Sequence, residues 1–131
     1  MDLIARVILF NHLIAQREGL GSSDGQFLQL LRLHGPMTAG QLAAMTGLTT
    51  GSTTGVIDRL EQAGFANRTR DPHDRRKVVV VPDHEAIGTR LAPHYTGQAE
   101  RLDRVLATRS VEELRVIADF LAELTSGPIA P

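Results

Sequence analysis

The sequence predicts a mainly α-helical protein with one small β-hairpin. Apolar residues recur at helical spacing through most of the chain. Three segments, Ser23 to Gln26, Thr38 to Gln41 and Ser110 to Glu113, place a hydroxyl residue three positions before Gln or Glu, the spacing of a reciprocal helix cap. One β-branched run, Lys77 to Val81, follows a turn at Asp71-Pro72-His73-Asp74.

Six helices and the hairpin follow in order, with no internal repeat. The first helix, about Asp2 to Arg17, is apolar around most of its circumference. It therefore needs cover on more than one side, which a second copy of so short a chain would supply. Glu18-Gly19-Leu20-Gly21 ends it. The Ser23 box opens a second helix with Phe27, Leu30, Leu31 and Leu33 on its apolar side, and Gly35-Pro36 stops it. The Thr38 box opens a short third helix through Leu42, Ala43 and Met45. Gly47 allows a tight turn, and Thr49 caps a fourth helix that runs to about Ala63 and ends at Gly64. Ala66 to Arg70 and Lys77 to Val81 are the two strands of the hairpin. Pro82 ends it and Asp83 caps a fifth helix carrying Ile87, Leu91, Tyr95, Leu102, Val105 and Leu106. A kink or break is expected at Pro93, which lacks a backbone donor. The Ser110 box opens a sixth helix, apolar at Leu114, Ile117, Leu121 and Leu124, closed by Gly127-Pro128.

Composition narrows the function classes. The chain of 131 residues suits one domain-sized unit, and 42% hydrophobic with 22% charged residues is ordinary for a globular protein. The absence of cysteine excludes disulfides, thiolate metal sites and a thiol redox switch. The apolar start is interrupted by Arg6 and preceded by Asp2, so it reads as a helix, not a signal peptide or a span, and a cytoplasmic protein is expected. Net charge is −1, but five basic residues against two acidic ones lie between Arg68 and Lys77, whereas six acids face four arginines from Glu100 to Glu123. A phosphate backbone attracts such a local patch even when the whole chain is near neutral.

Two short helices joined at a glycine turn, with small Ala43 at their crossing, form a helix-turn-helix signature. Leu48, Thr53, Ile57 and Leu60 should face the core. Thr50, Gly51, Ser52, Thr54, Gly55 and Arg59 are left outside, where a helix can enter a major groove. That face is short-chained, so it should approach closely and read bases only modestly. The basic hairpin that follows would carry an arginine toward a minor groove. Asp74, two residues before Arg76, is placed to orient that guanidinium by a salt bridge. The combination predicts a winged helix-turn-helix.

Residues from about Ser23 to Pro82 resemble the MarR family of transcriptional regulators. The likeness rests on Met37-Thr38-Ala39-Gly40-Gln41-Leu42-Ala43-Ala44-Met45-Thr46-Gly47-Leu48, on Val56 to Phe65, and above all on Asp71-Pro72-His73-Asp74-Arg75-Arg76-Lys77-Val78-Val79-Val80. The resemblance implies that Arg76 enters the minor groove with Asp74 in support, and that the first and last helices interlock into a homodimer. It implies a repressor or regulator of transcription bound to a pseudo-palindromic DNA operator. Residues 1–20 and 84–131 would be the dimerisation region and 22–83 the DNA-binding lobe. The DNA-contacting set is Thr38, Thr49, Thr50, Gly51, Ser52, Thr54, Arg59, Arg70, Asp74, Arg75 and Arg76. Two departures stand out: the strand after the wing ends Val81-Pro82 in place of Leu-Thr, and Thr53 takes a core position more often held by Val.

The resemblance also implies release by a small aromatic or phenolic effector, with His12, Gln16, Phe27, His34 and Tyr95 as candidate pocket residues. Packing roles compete with that reading at every one of the five. A metal-responsive regulator built on His84, Glu85 and His94 is disfavoured, because the ten-residue spacing does not set the two histidines side by side. No metal site and no cofactor are therefore expected. No phosphate loop, nucleophile elbow or HExxH pattern supports an enzyme. A winged helix used only to bind protein is the remaining alternative, and the wing arginines argue against it.

Overall fold

The computed structural model describes residues 2–127, so Pro128 of the Gly127-Pro128 stop lies outside them. The chain divides into two compact units, Met1–His94 and Tyr95–Pro131. In the first unit, α1 (Asp2–Arg17) is followed by α2 (Ser22–His34), β1 (Met37–Thr38), α3 (Ala39–Thr46), α4 (Thr50–Gln62), β2 (Ala66–Arg70) and β3 (Val78–Pro82). The core is aliphatic with two aromatic plugs, Phe27 and Phe65, around Leu31, Leu42, Val56, Ile57, Leu60 and Val80.

The local caps explain most of the boundaries. Thr38 Oγ1 accepts from the Gln41 amide, and Gln41 Oε1 accepts from the Thr38 amide, as the spacing predicts. Gly47, at φ +70°, ends α3 with its N–H on the Ala43 carbonyl. Gly64, at φ +78°, ends α4: its N–H reaches the Glu61 carbonyl and the Phe65 N–H reaches that of Leu60, Phe65 and Leu60 both being wholly buried.

Three expectations need correction. Helix α2 does not open at the Ser23 box; it starts at Ser22, and Asp24 Oδ2 accepts the Gly21 N–H at 2.8 Å. A carboxylate binds the positive helix end better than a hydroxyl does, and it also finds a cation here. The hairpin is one part of a three-stranded antiparallel sheet of order β1-β3-β2, with Met37 opposite Val80 and Ala66 opposite Pro82. Two residues are too few for an alternation to show in sequence. The fifth helix is broken well before Pro93. After Asp83 caps α5 (His84–Ala86), the backbone passes through a π turn (Ile87–Leu91) and a 3₁₀ turn (Ala92–Tyr95). The Ala92 amide bonds Ile87 five residues back, so the register has already shifted when the donorless proline arrives.

Helix α1 is only lightly packed on its own chain. Ile14 and Ala15 are buried, while Leu3, Ile4, Val7, Ile8, Leu9 and Leu13 are 49% to 74% exposed. The second unit contains α6 (Thr96–Ala107) and α7 (Val111–Thr125), the latter capped reciprocally by Ser110 and Glu113. Leu102, Val105, Val111, Val116, Phe120, Leu121 and Leu124 are exposed there. No helix of the described residues is long and apolar enough to cross a membrane.

Candidate nucleic-acid interface

Helix α4 buries Thr53, Val56, Ile57 and Leu60 and exposes Thr50, Gly51, Ser52, Thr54, Asp58 and Arg59. Its hydroxyls are partly committed. Thr49 Oγ1 accepts from the Ser52 amide at 3.2 Å and donates to Ser52 Oγ at 3.0 Å, and Thr54 donates to the Thr50 carbonyl at 3.0 Å. Thr50 and Ser52 are both exposed, and neither hydroxyl donates a hydrogen bond among the described residues. Gly51 has no internal justification: a Cβ there would meet nothing within 4 Å. A glycine inside a helix costs about 1 kcal/mol relative to Ala, and the open space beside Gly51 leaves room for the close approach of another surface.

Arg59 does not extend freely from this face. Its Nε donates to Asp24 Oδ1 and Oδ2 at 3.0 and 3.1 Å, and its Nη2 lies 2.9 Å from Oδ1. The bond to Asp24 holds the guanidinium pKa above its usual value, against the opposing effect of burial.

The wing is braced from within. Asp71 and Lys77 close the loop by backbone pairing, and Asp71 Oδ1 accepts the His73 amide at 2.8 Å. The predicted salt bridge from Asp74 to the Arg76 guanidinium is not formed; Asp74 Oδ1 accepts the Arg76 backbone N–H at 3.1 Å instead. A short carboxylate reaches the amide two residues on more readily than a long side chain curling back. Arg70 turns inward as well, donating Nη1 to the Arg75 carbonyl at 2.8 Å. At the root, Arg68 bridges Asp58 at 2.8 Å and Glu61, both on α4, so the arm is ion-paired to the helix before it. Arg75, Arg76 and Lys77 are exposed and make no side-chain hydrogen bond or ion pair among the described residues.

The four candidate pocket residues of the first unit stand in different surroundings. Phe27 is wholly buried in the core, and Gln16 is exposed. His12 Nδ1 lies 3.1 Å from Ser22 Oγ at the start of α2, whereas His34 is the last residue of that helix, about 18 Å away along its axis. Tyr95 begins the second unit.

A polar cluster that sequence reading did not find lies at the end of α1. Arg90 donates Nε and Nη2 to Glu18 Oε2 at 3.2 and 3.1 Å and Nη1 to the Ala63 carbonyl, and its guanidinium carbon stands 4.1 Å from the centre of the Phe65 ring. His94 Nε2 lies 2.9 Å from Glu18 Oε1. The His94 bond, with Arg90 adding to it, pulls the Glu18 carboxyl below its ordinary range. The partners are 72 and 76 residues apart, so no spacing rule points to them. Among the described residues no group of three metal-ligating side chains is assembled, and His94 serves Glu18.

A capped helix behind a left-handed glycine turn, followed by an arm tipped with unpaired cations, defines a winged helix-turn-helix. Residues 22–78 match the MarR family. Over 77 residues the chain is 51% identical to the uncharacterised HTH-type transcriptional regulator YcgE of Bacillus subtilis, a stretch that is 59% of this chain and 50% of that protein. Among solved structures, the transcriptional regulator Tm0710 of Thermotoga maritima superposes with a TM-score of 0.68 at 25% identity, covering 94% of this chain and 86% of that one. A mutant of Staphylococcus aureus MepR bound to an oligodeoxyribonucleotide shares the fold at 18% identity and a TM-score of 0.60, over 95% and 92% of the two chains. The chain thus carries a MarR-family match at 22–78, and the curated relatives it matches are named HTH-type transcriptional regulators. It spans 50% and 61% of the length of the first two curated relatives it matches.

Proposed function

We propose that the protein is a cytoplasmic homodimeric repressor that binds a short pseudo-palindromic DNA operator. The observation that carries the reading is the trio Arg75, Arg76 and Lys77, unpaired at the tip of an arm rooted by Arg68 on α4. In this reading α4 enters a major groove with Thr49, Thr50, Gly51, Ser52 and Thr54 toward the DNA, and Thr38 stands at a phosphate. Arg75 and Arg76 track the minor groove, while Asp74 and Arg70 hold the loop that presents them. The bare Gly51 supports a helix pressed close to the duplex.

The exposed apolar side chains of α1 support pairing with a second copy. Residues 1–20 and 84–131 form the dimerisation region and 22–83 the lobe that binds DNA. The two reading helices then fall about 34–36 Å apart, one turn of DNA. Release by a small aromatic or phenolic ligand completes the proposal on the strength of the family resemblance, with His12 and Gln16 on α1 as contacts.

Selection of bound sequences from random duplex DNA, repeated with aromatic acids present, tests the reading. A palindromic consensus is expected. Arg76→Ala should lower affinity for it by about 1–3 kcal/mol while leaving folding intact. Failure of the parent to enrich any sequence, or undiminished binding by Arg76→Ala, overturns it.

A further inference from the structure

We infer that Arg59 acts as a positioning residue, fixing the rotation of α4 about its axis through Asp24, and is not itself a DNA contact. The inference rests on the DNA-binding reading above. Asp24 is the one charged side chain among the buried described residues, at 1% exposure. Both of its oxygens are engaged: Oδ2 takes the Gly21 amide, and three close approaches from Arg59 cover both. A carboxylate stripped of water holds its cation firmly, because removing that cation strands a buried charge. The guanidinium is therefore unavailable to neutralise a phosphate, although the Arg59 side chain is 54% exposed.

The pair joins the first turn of α2 to the last turn of α4. Apolar packing by Val56, Ile57 and Leu60 sets how deeply α4 is seated, but such contacts are non-directional. A guanidinium gripping a carboxylate through two nitrogens is directional and sets the angle. Angle matters more here than on most reading helices. A long arginine or glutamine can compensate for a small rotation, whereas Gly51, Ser52 and Thr54 have no reach with which to do so.

The test compares Arg59→Gln with the parent on two duplexes, the consensus recovered by selection and a scrambled sequence of equal length, across a salt series. Consensus affinity is expected to fall about tenfold, the size of one mismatched base pair. Affinity for the scrambled duplex and the slope of log affinity against log salt should be unchanged. A slope shallower by about 0.9 for each Arg59 engaged marks a phosphate contact and overturns the inference. Equal losses on both duplexes at an unchanged slope, tracking the folded fraction, mark a purely structural role and also overturn it. Should Arg59→Gln fail to fold, the pair Asp24→Asn with Arg59→Gln leaves no stranded charge and is held to the same outcomes. A parent that discriminates neither duplex refutes the DNA-binding reading itself, and the inference falls with it.

Discussion

Thr53 is 1% exposed, and its hydroxyl has no hydrogen-bond partner among the described residues. Replacing it with valine exchanges that hydroxyl for a methyl of similar size, with the same branching at Cβ and hence a comparable rotamer preference in the helix. A buried unsatisfied polar group costs about 1–3 kcal/mol. Thr53→Val is therefore expected to stabilise the fold by about 1–3 kcal/mol, before any gain from burying one more methyl. At roughly 4 °C per kcal/mol for a chain of this size, the melting temperature should rise by about 4–12 °C. Urea unfolding at matched protein concentration would show a higher midpoint with an unchanged slope. The exposed side chains of α4 are untouched, so affinity for the selected duplex should not change. Thr53→Ser keeps the hydroxyl and loses the methyl, and should fall on the other side of the parent. An unfolding midpoint at or below the parent's for Thr53→Val would refute the reasoning.

The Glu18 cluster makes stability depend on acid. Because its folded pKa is lowered, Glu18 stabilises fully above its unfolded value of 4.5, and that contribution disappears as pH falls through the lower folded value. The difference in urea midpoint between parent and Glu18→Gln should shrink below pH 4.5; a gap that does not vary with pH would contradict the assignment. Arg70→Ala removes the brace on the Arg75 carbonyl and should speed hydrogen exchange through residues 71–77, while changing global stability by about 1 kcal/mol or less. Leu9→Glu places a charge in the exposed apolar side of α1 and should shift sedimentation from dimer to monomer; an unaltered dimer would remove that helix from the interface.

What the sequence disclosed was local chemistry. The caps at Thr38 and Ser110, the turn glycines Gly47 and Gly64 and the wing turn are each written within a few residues, and each is found where the spacing puts it. The second helix shows the limit: Ser23 and Gln26 have cap spacing, yet Asp24 takes the role because it also meets Arg59 from 35 residues away. The same blindness to distant partners left Arg59 pointed at DNA in the sequence reading, whereas it is tied to Asp24; Arg70 and Asp74 are held by near neighbours, Arg75 and the Arg76 amide. The Glu18, Arg90 and His94 cluster was invisible for that reason too. Strand β1 escaped because two residues carry no period, and the π turn because its irregularity precedes the proline that advertises it.

The bracing of the wing bears on kinetics. A floppy basic tail must be immobilised when it meets its partner, and the lost freedom is subtracted from whatever attraction it offers. Here the Asp71 and Asp74 carboxylates and the Arg70 side chain have already closed the loop. Under the proposed DNA-binding role the arm would meet the duplex in finished form, so Coulomb attraction could speed capture without waiting for a segment to organise itself.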